Sequence, residues 1–278
     1  MLSFFIAIPC NIFCSIAGED IFSLFDIKLI LFLLFTCLTI AAVSIVLCNK
    51  LIPDKKTAVT VAHNIFRGNF TLLGIPLAIN LLGKSQAAPM MLLVPFGMLF
   101  VNICSAVMLS TISPQPGITV LQSTLQSTGH ILLNPMTIAS ILGIIVSLAA
   151  ISLPAVITTT IDYFSNMSGG LALLMMGAQL EFVDMRKNRK YTTATVFFLL
   201  FFIPTVVSIA AIVVGFRGGT LAALFIFFAA PTAVSSYVLA TNMGGDGKLA
   251  GDTVLATSCV SSVTLTIGIF ILKSFQLF

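Results

Sequence analysis

Apolar residues run along this chain in long unbroken stretches separated by short polar interruptions. Nine such stretches can be marked, at about 2–17, 27–48, 57–83, 87–111, 130–150, 153–180, 191–215, 219–242 and 251–275. A helix needs roughly 20 apolar residues to cross a hydrocarbon layer about 30 Å thick, and most of the stretches have that length. None alternates with period two, so a membrane β-barrel is excluded. The longest polar connection, 112–129, is rich in Ser, Thr, Gln and Pro and holds Pro114 and Pro116. It divides the chain into a four-segment half over 1–111 and a five-segment half over 130–278. The pattern therefore predicts an all-α integral membrane protein of about nine spans with a cytoplasmic linker between the halves.

Composition strengthens this reading. Of 278 residues, 58% are hydrophobic and 8% charged, with a mean hydropathy of +1.14. Soluble domains carry about 25% charged residues because their surface faces water; a surface this poor in charge faces lipid. The net charge of +4 is small and forms no basic stripe interleaved with aromatics, which excludes nucleic acid as a partner. The segment Met1-Leu2-Ser3-Phe4 lacks the positive region of a signal peptide, so the first apolar run is expected to stay in the membrane. Cys10, Cys14, Cys37, Cys48, Cys104 and Cys259 are scattered within apolar runs without a CxxC pair. They read as small hydrophobes, and with His63 and His130 as the two histidines no metal or cofactor site is expected.

Charge in the short loops sets the orientation. Lys50, Lys55 and Lys56 follow the second segment; Arg186, Lys187, Arg189 and Lys190 follow the sixth. Strict alternation puts both loops on one side, and the loop with Glu19, Asp20 and Asp26 on the other. The basic loops and the N-terminus are thus predicted to be cytoplasmic and the C-terminus outside.

Two segments are too irregular to be plain anchors. The third runs His63-Asn64-Ile65-Phe66-Arg67-Gly68-Asn69-Phe70-Thr71-Leu72-Leu73-Gly74-Ile75-Pro76, and the eighth Phe228-Ala229-Ala230-Pro231-Thr232-Ala233-Val234-Ser235-Ser236-Tyr237. Pro76 and Pro231 each lie near mid-span and interrupt the helical hydrogen bonds. Freed backbone groups at that depth are tolerated where they line a cavity or are buried in protein. Each broken segment is followed by a glycine turn (Gly83; Gly244 and Gly245) and another full span. This is the outline of an inverted repeat whose paired broken helices mark a midplane site. Asn166-Met167-Ser168-Gly169-Gly170 adds a third soft spot in the sixth segment.

Arg67 is the leading site residue. It lies about eleven residues past Lys56, roughly 16 Å along a helix and close to the bilayer centre. An arginine there costs at least about 2.5–3.5 kcal/mol on insertion scales, so it is expected to face a polar cavity with a partner. Its planar fork suits a carboxylate. Half-helices beginning after Gly74 and after Pro231 would aim their positive N-termini at the same cavity. Thr232, Ser235 and Ser236 offer hydroxyl donors and Asn69 an amide. Asp162 reads either as a proton or cation site or as a residue of an outer vestibule or interface, His63 as a wetted residue near the cytoplasmic end of its helix, and Asp246 and Asp252 as solvated loop residues.

At these residues the chain resembles the auxin efflux carrier family, which includes plant PIN proteins and bacterial carriers of malate or malonate. The resemblance rests on Arg67-Gly68-Asn69 through Gly74-Ile75-Pro76-Leu77-Ala78 with Leu82-Gly83, and on Asn134-Pro135 with Leu142-Gly143. It continues in Leu171-Ala172-Leu173 through Gly177-Ala178-Gln179-Leu180, and in Ala230-Pro231-Thr232-Ala233-Val234-Ser235-Ser236-Tyr237-Val238-Leu239-Ala240 with Gly244-Gly245-Asp246. The resemblance implies two inverted five-helix repeats, crossing broken helices that hold Pro76 and Pro231, and transport of organic anions by alternating access, often as dimers. Ile8-Pro9-Cys10 matches the early proline of the family's second helix, so the chain is expected to lack the first helix and to follow a 4+5 plan. Gly170 stands where the family usually has proline.

The function expected is that of a secondary carrier for a small carboxylate, with Arg67, Asn69, Gly74, Pro76, Pro231, Thr232, Ser235 and Ser236 at the substrate site. Proton or sodium coupling and a homodimer are left open. The alternatives are a sodium-coupled organic anion symporter of related architecture and a non-transporting sensor or scaffold. An intramembrane enzyme is not expected, since neither GxSxG nor HExxH is present.

Overall fold

A computed structural model describes residues 6–17, 25–112, 135–178 and 188–277. Most of the connection expected over 112–129 lies outside the described residues. Among those described there are eleven α-helices and no strand. They are α1 (Ile8–Ala17), α2 (Ile27–Leu51), α3 (Lys55–Phe66), α4 (Ile75–Gln86), α5 (Ala88–Ser110), α6 (Pro135–Leu148) and α7 (Ala155–Ala178). After these come α8 (Arg189–Val214), α9 (Gly218–Ala229), α10 (Val234–Asn242) and α11 (Gly247–Ser274). Four of them, α2, α5, α8 and α11, are long and apolar enough to cross a membrane.

The side chains sort as lipid exposure requires. Along α2, Leu29, Leu33, Cys37, Ala41, Ser44 and Cys48 recur every three or four residues and are buried, while Phe35 on the opposite face is 72% exposed. Val213 of α8 and Phe270 of α11 are 81% and 71% exposed. Contiguous apolar surface on this scale is not tolerated in water. By contrast α9 is apolar on all sides and buried from Leu221 to Ala229, which makes it the axis of the bundle. It packs against α4, α5, α8 and α11; α1 packs against α6 and α7 on another side.

Two glycines let aromatic rings reach the neighbours of α9. A Cβ on Gly97 of α5 would lie 2.5 Å from Phe227 Cζ, and one on Gly268 of α11 would overlap the ring of Phe225. Phe227 also stacks on Phe70, with ring centroids 4.0 Å apart.

Both broken segments are present, but the first breaks earlier than expected. Helix α3 ends at Phe66, residues 67–69 leave helical geometry, and a π turn at Phe70–Gly74 leads directly into α4. The interruption is thus at Arg67–Asn69, upstream of Pro76, and the second half-helix begins at Phe70 rather than after Gly74. The wider π turn makes room for the proline ring and its missing donor. The same device recurs in α8, where a π turn at Phe198–Phe202 precedes Pro204. In the other broken segment the interruption is at the proline: Ala230, before Pro231, is extended with φ −63° and ψ 140°. The soft spot expected at Asn166–Gly170 is absent, since α7 runs unbroken through it. With Gly170 in place of proline, no backbone donor is lost and the ladder continues.

Candidate functional site

The two interruptions meet. Asn69 N–H donates to the Pro231 carbonyl at 2.6 Å and Ala233 N–H donates to the Arg67 carbonyl at 3.0 Å, forming an antiparallel bridge between Gly68 and Thr232. Each chain satisfies backbone groups that the other's broken helix has freed. Thr232 completes the junction: its hydroxyl donates to the Asn64 carbonyl at 3.1 Å, and its N–H donates to Thr257 Oγ1 of α11 at 3.1 Å. A Cβ on Gly68 would stand 3.3 Å from the Ala230 carbonyl oxygen, so the approach is close.

Arg67 projects from this junction into the protein and is 4% exposed. Nε donates to Ser235 Oγ at 3.1 Å, Nη1 to Ser105 Oγ at 3.0 Å and Nη2 to Asn102 Oδ1 at 2.8 Å. All three acceptors are neutral. Among the described residues no carboxylate pairs with this cation: Asp26, Asp54 and Asp246 cap helices, Asp162 is exposed and Asp252 accepts from Asn188. Among the described residues the site therefore holds a positive charge with its hydrogen bonds partly made and its charge uncompensated.

The expected site residues divide. Arg67 and Ser235 are brought together. Asn69 is half-buried beside them in the interruption, and its side chain makes no capping bond. Pro231 and Thr232 are buried in the crossing, where the Thr232 hydroxyl is spent on Asn64. Ser236 is fully buried with its hydroxyl unpartnered. Gly74 and Pro76 do not join this cluster: Gly74 is buried where a Cβ would press on the Met90 methyl, and Pro76 is exposed.

Two expectations about ionisable residues are corrected. His63 is fully buried rather than wetted, with both ring nitrogens unpartnered. Helix α3 is enclosed on every side from Ala58 onward, so nearness to its start does not bring solvent. Asp252 is buried within α11 and accepts from Asn188 Nδ2 at 3.1 Å; Asp246, not Asp252, ends the loop, as N-cap to Leu249. Thr60, His63 and Asn64, at helical i, i+3 and i+4 spacing, form a polar stripe on α3 that leads to Arg67 just past its end.

Asn102 and Ser105 were not anticipated. A signal was present: two polar residues three apart, hence on one helical face, in the otherwise apolar stretch Phe100-Val101-Asn102-Ile103-Cys104-Ser105-Ala106-Val107. Which helix that face would meet was not legible.

A family model described as a membrane transport protein matches residues 1–269. No curated protein matches the chain.

Proposed function

Since the chain belongs to the auxin efflux carrier family, a family of membrane transporters and not of enzymes, we propose that it is a secondary carrier that moves a small organic anion by alternating access. The observation that carries this reading is Arg67, buried at the crossing of two broken segments and held, among the described residues, by neutral partners alone. A buried cation without a counter-charge is costly, and an anionic substrate supplies the missing charge. The guanidinium attracts the carboxylate; Asn69 and Ser235 orient it.

In this reading the chain crosses the membrane nine times on a 4+5 inverted-repeat plan, with the halves 1–111 and 130–278, the basic loops and N-terminus cytoplasmic and the C-terminus outside. The described helices follow the nine apolar stretches, and the mutual pairing of the interruptions is what a repeat related by a two-fold axis in the membrane plane would produce. A cation site would need carboxylate ligands, and among the described residues no carboxylate pairs with Arg67.

The test is counterflow of labelled malate, malonate and indole acetate in proteoliposomes, comparing wild type with Arg67→Ala and Arg67→Lys. Accumulation in wild type, a weaker signal with lysine and none with alanine supports the reading. Equal flux in all three removes Arg67 from the site. No flux from folded wild-type protein with any of the three anions overturns the carboxylate assignment.

A further inference from the structure

The amide of Asn102 has one orientation available to it. Its neighbour, the Arg67 guanidinium, can only donate hydrogen bonds, so the amide oxygen must face Nη2, as it does at 2.8 Å. A flipped amide would set donor against donor. The NH2 group is thereby turned away from Arg67. There it meets no acceptor, although Asn102 is 6% exposed and Nδ2 is shielded from solvent.

Buried amide donors are nearly always paired, and one without a partner calls for an explanation. Ser105 sits one turn further along α5 and Ser235 lies across the site on α10; both accept from the same guanidinium. Every partner of Arg67 thus spends an acceptor on it. What remains to face a ligand is weighted towards donors: two guanidinium N–H groups and the Asn102 NH2. A carboxylate, with two oxygens and up to four lone-pair directions, complements this set, whereas a metal cation or an ammonium does not.

We infer that Asn102 is a direct ligand of the transported anion, its Nδ2 donating to one carboxylate oxygen while Arg67 donates to the other. This rests on the anion reading of Arg67 and adds a second, specificity-determining contact from a different helix. Binding would then join α5 to the junction of the two broken segments, so the site senses the placement of two oxygens as well as one charge.

Because an added charge weakens anion binding whether Asn102 is a ligand or a clamp, the ligand role stands only if uncharged Asn102→Ala shows the loss that Asn102→Asp shows. The aspartate substitution keeps the size of the side chain and the oxygen facing Nη2, but replaces the donor by a second oxygen and neutralises the guanidinium. The clamp on Arg67 is retained and the donor is lost. The measurements are the half-saturating concentration and maximal rate of counterflow, and the rise in melting temperature on adding substrate. The probe is whichever of malate, malonate and indole acetate the wild type exchanges.

Asn102→Asp is expected to raise half-saturation about 10–100-fold and to abolish the substrate-induced melting shift, with folding intact, as loss of a hydrogen bond to a charged group implies. Asn102→Ala, which introduces no charge, should raise half-saturation with the maximal rate largely kept, and it carries the test if the aspartate variant fails to fold. Wild-type half-saturation in either folded variant, with Arg67→Ala inactive, overturns the role of Asn102 and leaves the anion reading standing. Wild-type behaviour of Arg67→Ala, or no exchange of any probe by folded wild type, overturns both.

Discussion

The crossing offers a single hydroxyl whose removal can be worked through. Thr232 is 1% exposed, and its Oγ1 donates to the Asn64 carbonyl at 3.1 Å. That carbonyl belongs to the last turn of α3, where the helix stops at Phe66 before supplying further N–H partners. Thr232→Val is nearly isosteric, keeps the backbone bond to Thr257 and deletes the donor. It sacrifices a bond worth about 1 kcal/mol net and leaves a buried carbonyl unpaired, for a total cost of about 1–3 kcal/mol. For a chain of this size each kcal/mol moves the melting temperature by about 2–4 °C. The assay is thermal unfolding of purified protein in detergent, with Thr232→Ser as the control that keeps the hydroxyl. The valine variant should melt about 2–12 °C below wild type on these figures, with the serine variant between the two. Equal melting of the valine variant and wild type would refute the claim that this hydroxyl caps the broken helix.

Further predictions follow from other positions. Gly97→Ala should destabilise by about 1–3 kcal/mol, because the added methyl pushes Phe227 out of its stack on Phe70; pairing it with Phe227→Leu should recover most of the loss in the same melting assay. His63→Leu should leave the melting temperature unchanged or raise it, since it removes two buried nitrogens without partners; a marked drop would mean that the ring is hydrogen-bonded. Asp54 caps α3 through Thr57 N–H at 2.8 Å and Thr57 Oγ1 at 2.6 Å, and these bonds, with the hydroxyl's the larger effect, hold its carboxyl below the usual range. Its contribution is therefore complete above about pH 4 and declines as pH falls through the lowered value. Asp54→Ala should cost about 0.5–2 kcal/mol at neutral pH, with the difference from wild type shrinking in acid melts.

Much of the architecture was legible from one physical fact: a helix in hydrocarbon must be apolar over its exposed face. The apolar stretches at 27–48, 87–111, 191–215 and 251–275 fall on α2, α5, α8 and α11, the four helices long and apolar enough to span. Pro231 pointed to the second interruption, because proline disfavours helical geometry at the residue before it, and Ala230 is extended. Arg67 stood out for a similar reason, since a charge in mid-span needs partners wherever it points.

Partners across space were not written in the chain. The first interruption lies at Arg67–Asn69 and not at Pro76 because 67–69 are drawn out of helix by pairing with 231–233, while a π turn absorbs the proline. Neither effect is local. The polar surroundings of Arg67 come from α5 and α10, at separations of 35, 38 and 168 residues. His63 and Asp252 are buried because neighbouring helices enclose them, although their positions near helix starts pointed to water. Sequence determined which segments the bilayer would accept and where a charge demanded company; only tertiary packing decided which side chains provide it, because hydrophobicity acts on each segment alone and hydrogen bonds require two.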